Sequence, residues 1–98
     1  MNPARILIIE DDESLNEQLA DLLRGEGFNI RQHHDGQLGL MAALSEKFDL
    51  ILLDVLLPTL DGFAVLNRLR KINQTPVMML TACGAEEERI EGYSRGAD

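Results

Sequence analysis

The sequence has one cysteine, Cys83, so no disulfide framework braces the fold. Nothing around Cys83 marks a reactive thiol, and it reads as a small, inert residue after a strand. Long apolar runs are also missing. None approaches the ~20 residues that a bilayer-spanning helix needs. The opening residues form no basic-then-apolar leader, so the expectation is a cytoplasmic chain with no membrane partner. Basic residues are scarce, with 9 Lys and Arg against 17 Asp and Glu and a net charge of -8. That balance argues against nucleic-acid binding by this segment, and no residue is assigned to it. It favours solubility, cation binding or a basic partner. There is no low-complexity segment and no long linker, and 98 residues suit one small domain.

What is present is an alternation of apolar runs and helical periodicities. "RILII", Arg5 to Ile9, reads as a short buried strand, followed at once by Glu10, Asp11 and Asp12. Leu15, Leu19, Leu22 and Leu23 recur at helical spacing, with Asp12 or Ser14 as cap and Gly25 and Gly27 at the end. A weaker strand over Phe28 to Gln32 precedes a second helix carrying Leu38, Leu40, Met41 and Leu44, with Asp35 as cap and Gly39 weakening it. Phe48 to Leu53 is apolar on both faces, as in a buried parallel strand. Pro58 and Gly62 bracket a loop before a third helix marked by Phe63, Leu66, Leu69 and Ile72. "PVMML", Pro76 to Leu80, is a fourth strand with Met78 and Met79 as core fillers, and Ala85 to Arg95 reads as a polar fourth helix. Four strand–helix units in series imply an α/β fold, a parallel sheet with helices on both faces.

In such a sheet, ligands bind beyond the carboxyl ends of the strands, where the strand order reverses. Glu10 and Asp11 follow the first strand, Asp54 ends the third and Thr81 ends the fourth. If the first, third and fourth strands are neighbours, these side chains share one rim. Crowded carboxylates raise one another's pKa unless a cation intervenes. Mg²⁺ takes oxygen ligands and typically one or two carboxylates, and beside it a carboxylate can attack a phosphoryl group to form an aspartyl phosphate. Thr81 could hydrogen-bond the product. Each feature has a plainer explanation: acids that complement a helix dipole, an aspartate that starts a turn, a strand-end threonine, a proline that stiffens a loop. Their agreement in position along the series favours a shared site. Metal binding there should weaken as pH falls through the carboxylate range.

The stretches "ILIIEDDE", "DLILLDVLLPTLDG", "PVMMLTA" and "GYSRGAD" resemble the receiver domain of bacterial two-component response regulators, in order and spacing over the whole chain. The resemblance implies a flavodoxin-like doubly wound parallel sheet of strand order 2-1-3-4-5. It implies that Asp54 takes a phosphoryl group from a sensor histidine kinase. Asp11 would hold Mg²⁺ directly and Glu10 through water, with Asp54 and the backbone carbonyl of Leu56 as further ligands. Thr81 would be the switch hydroxyl, Pro58 and Gly62 would shape the loop, and Asp12 would only cap a helix. The family continues with a fifth strand, a lysine, a cis-proline turn and a fifth helix. None follows "GAD" here, so residues 1–98 are expected to be a receiver domain cut short at its C-terminal end. The tail "EEERIEGYSRGAD" most resembles transcription factors of the OmpR/PhoB subfamily. In these a C-terminal winged-helix domain contacts DNA, and self-association runs through the face of the fourth helix and fifth strand.

Two other readings compete. A flavin or nucleotide module would carry a glycine-rich phosphate loop after the first strand, where this chain is acidic. A metal-dependent hydrolase with an aspartate nucleophile would place it after the first strand with a second Asp two residues on, and Glu10 with Asp12 matches that poorly. His33 and His34 lack acidic or cysteine partners at metal spacing and read as ordinary surface or loop residues.

Overall fold

The computed structural model describes residues 2–57 and 60–80. Their order is β1 (Arg5–Ile9), α1 (Glu13–Gly25), β2 (Asn29–His33), α2 (Gly36–Ser45), β3 (Leu50–Asp54), α3 (Gly62–Arg70) and β4 (Val77–Leu80). All strand pairs are parallel, and the sheet order is β2-β1-β3-β4. This is the doubly wound order expected from the sequence. The expected fourth helix, Pro58, Thr81 and Cys83 lie outside the described residues.

Strand alternation splits the core into two layers. Leu7, Ile9, Ile51 and Leu53 pack with Leu40 and Ala43 of α2 and with Val65, Leu66 and Leu69 of α3. Ile6, Ile8 and Leu52 face the other way, against Ala20, Leu19 and Leu23 of α1. β1 and β3 are therefore apolar on both sides, which is why they read as unbroken apolar runs.

The caps fix where each helix starts. Asp12, rather than Ser14, caps α1 by accepting from the Leu15 N–H at 3.0 Å. Asp35 caps α2 as expected, taking the N–H groups of Gln37 and Leu38. Asp61 caps α3, so that helix begins at Gly62. Beyond α1, Gly27 adopts φ +96°, a left-handed conformation that glycine enters without a Cβ penalty.

Several apolar residues do not point where periodicity alone puts them. Met79 is 3 % exposed but Met78 is 47 % exposed, so only one of the two fills the core. Met78 lies on the face that α1 covers over β1 and β2, away from β4. Leu22, Leu38, Met41 and Ile72 are also exposed. Gly39, which weakens α2 on propensity alone, has a packing reason: a Cβ there would stand 2.6 Å from the Ile9 side chain.

Candidate metal centre

Register builds the site. Ile9, the last residue of β1, pairs with Leu53 of β3 on one side and His33 of β2 on the other. Glu10 and Asp54, each one residue further on, therefore lie side by side at the carboxyl end of the sheet. Glu10 and Asp54 are buried, Asp11 is exposed, and one carboxylate oxygen from each lies within 4.8 Å of the others. A cavity of about 360 Å³ opens over them, lined also by Asp12, Leu15, Leu56 and Leu80.

Backbone donors hold the acids in place. The Leu56 N–H donates to Asp54 Oδ1 at 3.2 Å, and the Asp12 N–H donates to Glu10 Oε2 at 3.1 Å. The main chain beyond Asp54 is fixed by Val55 N–H to the Leu80 carbonyl and by Gly62 N–H to the Val55 carbonyl, both at 2.9 Å. Gly62 does more than shape a loop. A Cβ there would overlap the Asp54 carbonyl oxygen and stand 2.8 Å from Val55 Cα, so its lack of a side chain lets α3 start directly against the end of β3.

Burial pushes the Glu10 carboxyl up to about 8, against the pull of the Asp12 N–H and with the carboxylates of Asp54 and Asp11 adding to the rise. Burial also raises Asp54, while hydrogen bonds from Glu10 and the Leu56 N–H pull it back. Both carboxyls are thus pushed towards their protonated forms. Among the described residues, no lysine or arginine forms an ion pair with Glu10, Asp11 or Asp54. Three converging oxygen donors with uncompensated charge suit a hard divalent cation. A larger hollow of about 830 Å³ opens at the far end of the sheet, by Arg5, Phe48 and Asn73. Its Arg5 is already paired with Glu46 at 2.7 Å and stacked over Phe48, so size does not make it the better candidate.

The sequence reading missed the fully buried Asn16. Its side-chain Nδ2 donates to the backbone carbonyls of Glu10 at 2.9 Å and His33 at 3.1 Å, and its Oδ1 accepts from Gln32 Nε2 at 2.8 Å. The available signal was an amide one turn before Ala20, on the helix face that should be apolar. Neither His33 nor His34 joins the acidic cluster, and burial with the nearby Arg31 lowers the His33 pKa.

Residues 6–98 match the response regulator receiver domain family. The chain belongs to that family. This receiver domain is 51 % identical over 94 residues to the transcriptional activator protein PfeR of Pseudomonas aeruginosa, covering 96 % of this chain and 31 % of that protein. It is 46 % identical over 94 residues to the transcriptional regulatory protein CpxR of Escherichia coli, covering 96 % and 40 %. It therefore spans well under half the length of these curated relatives. Among solved structures, the receiver domain of a Francisella response regulator superposes with a TM-score of 0.89 at 31 % identity, over 97 % of this chain and 79 % of that one. The receiver domain of a Pseudomonas aeruginosa sensor histidine kinase, with magnesium coordinated in its active-site cleft, gives 0.84 at 27 % identity, over 92 % and 79 %. Receiver domains are signalling modules with a phosphoacceptor role, so the main reading of the sequence holds over the flavin-module and hydrolase alternatives.

Proposed function

We propose that Asp54 is the phosphoacceptor of this receiver domain, charged by a sensor histidine kinase, and that Glu10, Asp11, Asp54 and the Leu56 carbonyl hold Mg²⁺ beside it. One observation carries the reading: Asp54 lies buried at the end of β3 with two further carboxylates converging on it within 4.8 Å. The magnesium in the cleft of the histidine-kinase receiver supports the choice of ion.

The chemistry follows from the residues. An Asp54 carboxylate oxygen attacks phosphorus on the donor phosphohistidine. A P–O bond forms, the P–N bond breaks, and its electron pair leaves with the imidazole. The Leu56 N–H holds the other side of the carboxyl group and favours its ionised form. When bound, Mg²⁺ draws off the charge that gathers on the phosphoryl oxygens. Thr81 follows Leu80, which pairs with Asp54, and its hydroxyl takes the switch role.

The output proposed is transcriptional, through a C-terminal winged-helix domain in the full-length protein, since PfeR and CpxR are transcriptional regulators of which this chain covers only 31 % and 40 %. The expected setting is the bacterial cytoplasm, and no helix among the described residues is long and apolar enough to cross a membrane. With acetyl phosphate and Mg²⁺, intact mass should rise by one phosphoryl group, and Asp54→Asn should show no rise. Labelling that survives in Asp54→Asn would refute the assignment, and steady turnover without a phosphorylated species would favour a hydrolase.

A further inference from the structure

Asn16 is fully buried on α1, the helix whose Ala20, Leu19 and Leu23 pack against Ile6, Ile8 and Leu52 of the sheet. Burying an amide is unfavourable unless its polar atoms are satisfied, and here all are. Nδ2 bridges the carbonyls of Glu10 and His33, and Oδ1 accepts from Gln32. Gln32 is oriented in turn: its Nε2 also reaches Glu17 at 3.0 Å, and its Oε1 accepts from Arg24 at 2.9 Å.

The Glu10 carbonyl belongs to the planar peptide unit that joins Glu10 to Asp11. Fixing that oxygen fixes the plane, and with it ψ of Glu10 and φ of Asp11. Both acids take their direction from that one unit. The His33 carbonyl also accepts from the Glu10 N–H at 3.1 Å, so the Asn16 amide ties both sides of Glu10 to the end of β2. Asp12, next in line, is anchored separately as the α1 cap.

We infer that Asn16 is a positioning residue for the acidic pair: its buried side-chain amide sets the Glu10–Asp11 peptide plane and so the affinity of the centre for a divalent cation. The inference rests on the metal-centre reading above. Asn16 touches no cation itself; it acts through the backbone of the two acids. Groups that orient metal ligands in this way typically change affinity by about 10–100-fold when removed.

The test is Mg²⁺ titration by calorimetry at 20 °C, well below the midpoint of thermal unfolding of each variant, with unfolding followed separately. Asn16→Ala should bind Mg²⁺ about tenfold or more weakly than the unmodified chain. Ala20→Gly, one turn further along the same buried face, should lower the unfolding temperature and leave Mg²⁺ affinity unchanged. A purely structural role for Asn16 predicts that the two variants behave alike. Where Asn16→Ala does not fold, Gln32→Ala decides: it frees the Asn16 amide to rotate, and a measurably weaker Mg²⁺ affinity supports the inference. Unchanged affinity in folded Asn16→Ala, or in Gln32→Ala when that variant decides, overturns it. An unmodified chain that binds no Mg²⁺ overturns the metal-centre reading, and this inference with it.

Discussion

Divalent-ion binding should release a proton at neutral pH, and the Glu10 environment sets how much. With no cation bound, burial and the neighbouring carboxylates push Glu10 from 4.5 to about 8. At pH 7 such a group is about nine-tenths protonated, and at pH 9 about one-tenth. A cation requires the ionised form, so Mg²⁺ binding should release ~0.9 proton at pH 7 and ~0.1 at pH 9. Apparent affinity should then rise about tenfold between those values, or ~1.4 kcal/mol. The raised pKa of Asp54 acts in the same direction. This places the pH dependence far above the ordinary carboxylate range in which the sequence put it. The sign for folding is the reverse. Between 4.5 and about 8 the folded chain keeps a proton that the unfolded chain has lost. Stability without cation should therefore fall as pH rises through that window, and Mg²⁺ should restore it. Calorimetry in two buffers of different ionisation enthalpy measures the released proton directly. No proton release at pH 7, with equal affinity at pH 7 and 9, would refute the account of Glu10.

Two predictions concern the scaffold. Gly62→Ala should destabilise by about 1–3 kcal/mol, because the added methyl meets backbone of Asp54 and Val55 rather than a movable side chain. Urea unfolding measures this, acetyl phosphate labelling should slow in parallel, and a variant as stable as the unmodified chain would show that α3 has room to move. Asp12→Ala should cost ~1 kcal/mol through loss of the α1 cap. It should leave one-to-one Mg²⁺ binding intact; loss of binding would place Asp12 among the metal ligands.

The sequence exposed the fold because β1 and β3 are buried on both faces and so read as unbroken apolar runs. The caps were partly legible. Asp12 and Asp35 stand directly before periodic segments, whereas Asp61 lies between Leu60 and Gly62 and resembles loop chemistry. Exposure was less legible on α2, whose apolar residues spread around the helix, so that Leu38 and Met41 face outward while Leu40 and Ala43 are buried. Asn16 escaped because two of its partners are main-chain carbonyls, one just past β1 and one at the end of β2. No pattern of side chains announces a donor to backbone, and only the assembled register brings Glu10 and His33 within its reach.

The sharpest limit of sequence reading shows in two glutamates of identical chemistry. Glu46, just past α2, sits between the guanidinium groups of Arg31 and Arg5 at 2.8 and 2.7 Å, and its pKa falls below the usual range. Glu10 sits among carboxylates at the other end of the sheet and is pushed up to about 8. Parallel strands bring about the difference. Arg5 opens β1 and Arg31 stands mid-way along the neighbouring β2, both within reach of Glu46, while Glu10 and Asp54 come together at the carboxyl ends. Around Glu46 the opposite charge comes from within the chain. At the carboxyl ends, among the described residues, a proton on Glu10 is the compensation available, and a divalent cation can displace it. A buried aspartate in the most apolar run stands at the end of β3 beside two further carboxylates, an arrangement that suits a divalent cation. The acid that would be a structural fault at the centre of β3 opens, at its end, onto a cavity shared with Glu10 and Asp11.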